Sequence, residues 1–183
     1  SVLGMPSNAV KSQKNGEIDY EDLDEKIKTE YGRSPIIVAN IGTTIKGATD
    51  RTEKIAGILH RNAIKEFYIH CDAALGGMIL PFVDKAPLFD FRTPIGSISL
   101  SGHKMIGSPV PCGVVIARKK DVKKIQQDIE YIGAPDTTLF GSRNGHTALF
   151  LWYAIQRFGY EGFKKMIASC LDVTRYALVR LKE

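Results

Sequence analysis

Over the first third of the chain, apolar residues first recur at every fourth position and then crowd into short runs. Leu23, Ile27 and Tyr31 form one stripe at helical spacing. Asp19 stands where a side chain caps the first turn, and Gly32 where a left-handed residue ends the last one. The spacing predicts a helix over 20–31. Ser34-Pro35 then opens Ile36-Ile37-Val38-Ala39-Asn40-Ile41, which is β-branched and apolar on both faces, the pattern of a buried parallel strand. A small, hydroxyl-rich loop follows, Gly42-Thr43-Thr44-Ile45-Lys46-Gly47-Ala48-Thr49-Asp50. Asp50 and Glu53 form a capping-box-like start for a helix to about Asn62, with Ile55, Ile58 and Leu59 inward. Phe67-Tyr68-Ile69-His70-Cys71 is a second short strand that delivers Asp72 at its carboxyl end. Strand, helix, strand is a β-α-β unit, so these two strands are expected to be parallel with a right-handed crossover.

Beyond a glycine-rich Ala73-Ala74-Leu75-Gly76-Gly77, residues 78–82 are expected to be short helical or irregular chain. A third strand spans 97–100 and a fourth 112–117. About ten residues separate them, which is short for a parallel crossover and suits an antiparallel pair. Residues 120–129 look helical, and 133–145 form a polar loop. The stretch 147–158 is apolar almost all round and reads as a buried helix, broken at Gly159. Phe163, Met166, Ile167, Cys170, Leu171 and Thr174 mark a last amphipathic helix. The expected architecture is α/β, a mainly parallel sheet with one antiparallel strand and helices on both faces.

Composition narrows the function classes without changing this picture. With 183 residues, 44% hydrophobic and 25% charged, the chain can bury a substantial single core. A net charge of +5 is mild. The densest basic run, Arg118-Lys119-Lys120-Asp121-Val122-Lys123-Lys124, suits a solvated helix face better than a nucleic-acid patch, so no nucleic-acid partner is expected. Cys71, Cys112 and Cys170 lack metal spacing and suit mostly buried, reduced thiols in a cytoplasmic protein. No run reaches the about 20 apolar residues of a membrane span, and the first residues carry no leader pattern. Because the chain starts without Met and closes on a helical pattern with no stop signal, it is expected to be part of a longer protein.

The candidate chemistry sits at three successive strand ends: Thr43/Thr44, Asp72, and Lys104 within Ser101-Gly102-His103-Lys104-Met105-Ile106-Gly107. In open α/β sheets the carboxyl edge is where ligands bind. Taken singly, each residue has an ordinary structural use: Asp72 as a cap or ion-pair partner, the threonines as loop hydroxyls, Lys104 as a surface amine. His70, Asp72 and His103 do not suit a metal, because no histidine pair at helical spacing and no nearby cysteine ligand supports them. Together, an amine, an acid and hydroxyls among glycines suit a planar, phosphorylated cofactor with an aldehyde. Pyridoxal 5'-phosphate needs a lysine for that aldehyde and a carboxylate for its ring nitrogen.

His70-Cys71-Asp72-Ala73-Ala74 followed by Ser101-Gly102-His103-Lys104 resembles the pyridoxal-phosphate group II amino-acid decarboxylases. The likeness extends through Gly42-Thr43-Thr44, Leu80-Pro81-Phe82 and Gly141-Ser142-Arg143-Asn144-Gly145-His146, and it covers nearly the whole chain. Within the family it is strongest to the bacterial branch acting on histidine, and the plant branch acting on serine is similar in the same motifs. The resemblance implies part of a fold-type-I, aspartate-aminotransferase-like large domain over residues 1–183, with the amino-terminal part and the small carboxyl-terminal domain outside the chain. It implies α-decarboxylation of an amino acid, histidine to histamine plus CO2 being the best match. Serine decarboxylation, an aminotransferase or lyase on the same fold, and an inactive interaction domain remain alternatives. Lys104, Asp72 and His103 are the implied catalytic residues. Lys104 would hold the cofactor aldehyde, Asp72 the ring nitrogen, and Ala74 would pack against the ring. Thr44 would approach the ring or the reacting carboxylate, Ser101 and His103 would lie by the phosphate, and Ser142 would reach a phosphate across a subunit interface. A homodimer or homotetramer is implied. The family's ring-stacking histidine and phosphate loop precede this chain, and no histidine occurs before His60, so the chain alone is expected to be inactive.

Overall fold

A computed structural model describes residues 4–30, 32–130, 133–138 and 143–182. Helix α1 (Tyr20–Thr29) starts as the sequence predicts, with the Asp19 carboxylate accepting from the backbone of Glu21 and Asp22. Lys26 and Lys28 pair with Asp22 and Asp24 one turn back, each at 2.6 Å. Tyr31, the third residue of the predicted stripe, lies outside the described residues. Strand β1 (Ile36–Asn40), helix α2 (Thr52–Arg61) and strand β2 (Tyr68–Asp72) form the expected unit. Strands β3 (Ser97–Ser101) and β4 (Gly113–Ala117) complete a sheet ordered β1-β2-β3-β4. The first two pairings are parallel and the last antiparallel.

Side chains alternate across this sheet. Ala39, Ile41, Ile69, Cys71, Ala73 and Ile98 point to one face and join Leu23, Ile27, Ile55 and Leu59 of α1 and α2 in a single buried cluster. On the opposite face Ile36, Val38 and Val115 are 55%, 54% and 68% exposed. The second helical layer expected from the sequence is therefore not built by the described residues.

Five further expectations change. Asp50 does not cap α2: Arg51 occupies that position, and the Asp50 carboxylate is buried, accepting from the backbone N–H of Ile18 at 2.7 Å and of Asn40 at 2.8 Å. A tertiary pair of donors outcompetes the local helix end. The helix expected over 120–129 is shorter. Helix α3 (Lys119–Ile125) gives way to strand β5 (Gln127–Ile129), which pairs with β6 (Ala134–Asp136) inside the expected polar loop. Arg118 leaves the solvated face of the basic run and donates to the carbonyls of Phe91, Thr93 and Ile95, tying the connection before β3 to β4. The apolar stretch before Gly159 is not buried: in α4 (His146–Arg180) Leu149, Trp152, Tyr153 and Phe158 are exposed, and only Ala154 is buried there. Gly159, at φ +57°, does break that helix as predicted, a backbone conformation that favours glycine. Of the three thiols, Cys71 is buried, Cys112 half-buried and Cys170 exposed, so burial holds for one of them. Among the described residues no helix is long and apolar enough to cross a membrane.

Candidate functional site

Because β1, β2 and β3 are parallel, their carboxyl ends share one edge of the sheet. At the end of β1 the chain turns at Gly42, whose φ of +88° is left-handed. The turn closes through bonds from the Gly42 and Thr43 amides to the Ala48 carbonyl, at 3.0 and 2.9 Å. Thr43 spends its hydroxyl inside the loop, accepting from Ala48 N–H at 3.0 Å. Thr44 is exposed, and among the described residues its hydroxyl has no protein partner.

Asp72 is the last residue of β2, between Asn40 and Ser99 in the sheet register. Its backbone is fixed on both sides: its carbonyl accepts from Ile41 N–H at 2.8 Å, and Ala73 N–H donates to Ser99 at 3.0 Å. Its exposed carboxylate accepts from Ala74 N–H at 3.1 Å and forms no ion pair among the described residues. The Ala74 carbonyl accepts from Ser101 N–H at 3.2 Å, so the half-buried Ala74 bridges the ends of β2 and β3. The glycines after it allow close approach. A Cβ on Gly76 would lie 2.2 Å from the Ile41 carbonyl oxygen, and one on Gly77 2.0 Å from the Leu100 side chain.

The lysine loop is fastened from behind. Gly102 N–H donates to Cys112 at 3.0 Å and Ser108 N–H returns to Gly102 at 2.9 Å. The Nδ1 of His103 lies 3.2 Å from both the backbone nitrogen and the carbonyl oxygen of Cys112, so that atom has a partner whether or not it carries a proton. Ile106 is buried with Ala154 and Phe163 of α4, and a Cβ on Gly102 would meet Cys112 Sγ at 2.5 Å and Leu151 at 2.6 Å. These contacts leave His103 and Lys104 exposed at the tip. Ser101 is half-buried at the strand end. Thr44, Asp72, Ala74, Ser101, His103 and Lys104 thus converge on one sheet edge, while Ser142 lies outside the described residues.

One side-chain contact escapes a residue-by-residue reading. His70 Nδ1 lies 2.7 Å from Ser97 Oγ, its register partner on β3. Burial holds the His70 ring below the ordinary histidine pKa, against an opposing pull from Asp72. On the helix-covered face, burial pushes the Cys71 thiol up to about 12, and the Asp50 charge adds to the rise. The period-two alternation Ser97-Ile98-Ser99-Leu100-Ser101 is the signal that could have shown a polar stripe beside His70 and Asp72. A separate cavity of about 770 Å³ lies between the amino-terminal segment, α1 and β1. Val10, Ile27, Arg33, Ile36 and Val38 line it, but not Thr44, Asp72 or Lys104.

The donor set at the edge fits a pyridoxal-type cofactor in kind: among the described residues, an amine without an ion pair, a carboxylate with one backbone partner, a hydroxyl without a protein partner, and a small residue between them. Comparisons with known proteins point the same way. The pyridoxal-dependent decarboxylase conserved domain matches residues 1–183. Histidine decarboxylase of Morganella morganii is 51% identical over 184 residues, covering 100% of this chain and 49% of that protein. Serine decarboxylase 1 of Oryza sativa subsp. japonica is 47% identical over 170 residues, covering 92% of this chain and 35% of that one. L-methionine decarboxylase from Streptomyces sp. 590 superimposes with a TM-score of 0.81 at 28% identity, over 92% of this chain and 43% of that structure. The chain spans about half the length, or less, of each of these three proteins.

Proposed function

The chain belongs to the family of pyridoxal-dependent decarboxylases, and from that premise we propose that the whole protein removes the α-carboxylate of an amino acid as CO2, with histidine as substrate and histamine as product. The observation that carries this reading is the convergence of Asp72 and Lys104 on one sheet edge in a chain 51% identical to a histidine decarboxylase. Serine is the second reading, supported by the 47% identity to a serine decarboxylase.

When bound, pyridoxal phosphate supplies an aldehyde for the substrate amine and a protonated ring that takes up the electron pair left when the Cα–carboxylate bond breaks. Lys104 would hold the cofactor through Nζ and release it to the substrate. Asp72, whose second oxygen has no protein donor among the described residues, would keep the proton on the ring nitrogen. Ala74 is small enough for a flat ring to lie along the chain. The Thr44 hydroxyl serves the ring or the reacting carboxylate. Ser101 and His103 would contact the phosphate, with His103 held to the Cys112 backbone. The product would then need one proton at Cα, drawn from solvent, in place of the lost CO2.

Residues 1–183 are read as part of the large cofactor-binding domain, the relatives' remaining length supplying the rest of the site. A homodimer or homotetramer with the site at the subunit interface, to which Ser142 contributes, belongs to the same proposal. The exposed Trp152, Tyr153, Phe158 and Tyr160 of α4 support it, since an apolar surface of this kind marks a protein contact. Three cysteines without a disulfide suit a cytoplasmic location.

The test uses the full-length protein. Incubated with histidine, it should release CO2 and histamine, and Lys104→Ala should abolish both the reaction and the near-visible absorbance of the bound cofactor. A keto acid in place of the amine, or an absorbance that survives Lys104→Ala, overturns the reading.

A further inference from the structure

The face of the sheet that carries Asp72 also carries His70, two residues earlier on the same strand. Their register partners on β3 are Ser97 for His70 and Ser99 for Asp72. His70 is half-buried, Ser97 is 6% exposed, and the 2.7 Å bond between Nδ1 and Oγ fixes the ring against the neighbouring strand. Asp72 has one protein donor, the Ala74 amide, and no ion pair among the described residues. A histidine is the titratable group placed to change that. If it carried a proton it would share the charge of Asp72, and the carboxylate would hold a second cation less strongly.

We propose that His70 is a positioning residue for Asp72: locked by Ser97, its uncharged ring flanks the carboxylate without neutralising it, which leaves the cofactor's ring nitrogen as the cation that Asp72 holds. This rests on the role given to Asp72 above. Burial favours the uncharged ring, in the direction the proposal needs. Ser97 serves it in two ways. Its hydroxyl can donate to Nδ1, which suits the neutral ring, and its bond removes the rotational freedom that would let the imidazole swing away.

The experiment loads the full-length protein with pyridoxal phosphate labelled with 15N in the ring. The ring-nitrogen chemical shift and the cofactor dissociation constant are read at neutral pH. In the unmodified protein the shift should report a protonated nitrogen. His70→Lys places a permanent cation beside Asp72. It should move the shift toward the unprotonated value and weaken cofactor binding by about tenfold, the effect of one unit in the pKa of the ring nitrogen. His70→Gln, uncharged and able to keep a bond to Ser97, should restore the protonated shift. A purely structural role would not separate these two variants. If His70→Lys does not fold, Ser97→Ala decides: freeing the ring should broaden or displace the signal while far-UV circular dichroism shows the fold retained. A protonated nitrogen that is insensitive to the charge at position 70 and to loss of the Ser97 hydroxyl overturns the role of His70. An unprotonated nitrogen in the unmodified protein overturns the role of Asp72 instead.

Discussion

Removing the carboxylate of Asp50 should unfasten the amino-terminal segment from the sheet edge that carries the candidate site. The side chain is 1% exposed and accepts from Ile18 N–H at 2.7 Å and Asn40 N–H at 2.8 Å. A hydrogen bond to a charged group contributes about 1.5–3 kcal/mol, so the two together contribute about 3–6 kcal/mol. Deleting the carboxylate also removes its own burial cost, which offsets part of that loss. Asp50→Ala should therefore destabilise the protein by about 3 kcal/mol. Asp50→Asn keeps one acceptor but turns an N–H2 group toward the other amide, and should cost about 2 kcal/mol. The effect is not spread evenly, because the bond to Ile18 spans 32 residues and ties the chain before α1 to the end of β1. Urea unfolding of the full-length protein should show a lower midpoint at unchanged slope for both variants. Hydrogen exchange should quicken at the amides of Ile18 and Asn40 before the rest of β1. An Asp50→Ala variant within about 0.5 kcal/mol of the parent, or an Asn variant weaker than the Ala variant, would refute the clamp.

Three further expectations concern the same fold. Gly57 lies inside α2 with open space where a Cβ would stand, so Gly57→Ala should raise the urea midpoint, the helix propensity adding about 0.5–1 kcal/mol of stability. Gly76→Ala should do the reverse, costing about 1–3 kcal/mol, because its Cβ would lie 2.2 Å from a backbone oxygen that cannot swing aside; an unchanged midpoint for Gly76→Ala would show that the two loops do not touch. Hydrogen bonds from Lys28, Asn62 and Arg61 hold the Asp24 carboxyl down to about 2 in the folded protein. A folded pKa below the unfolded one gives stability that is complete above the unfolded value of about 3.9 and is lost as pH falls toward 2. Asp24→Asn should flatten the fall of the urea midpoint between pH 4 and pH 2, and a fall of undiminished slope would remove Asp24 from the acid response.

Local pattern carried much of this protein. The four strands of the sheet, α1, α2 and the break at Gly159 follow from periodicity, caps and glycine, all of which act within a few residues. What the pattern misplaced was settled by partners far along the chain. Asp50 has a helix start next to it and still turns to Ile18. Residues 127–129 continue a charged helical run and still pair with 134–136. The apolar helix before Gly159 has no described neighbour over most of its surface, so apolarity all round did not mean burial. The candidate site divides in the same way. Asp72, Thr44 and Lys104 were legible because a strand end is a local address. The His70–Ser97 bond and the hold of Cys112 on His103 depend on which residues face each other across strands. That register has a local source after all. Ser97, Ser99 and Ser101 alternate with Ile98 and Leu100, and Ile98 belongs to the core under α1 and α2. A slip of one residue between β2 and β3 would bury serines against isoleucines and bring Ile98 beside His70 and Asp72. The hydrophobic requirement on one face of the sheet therefore sets the polar company of Asp72 on the other.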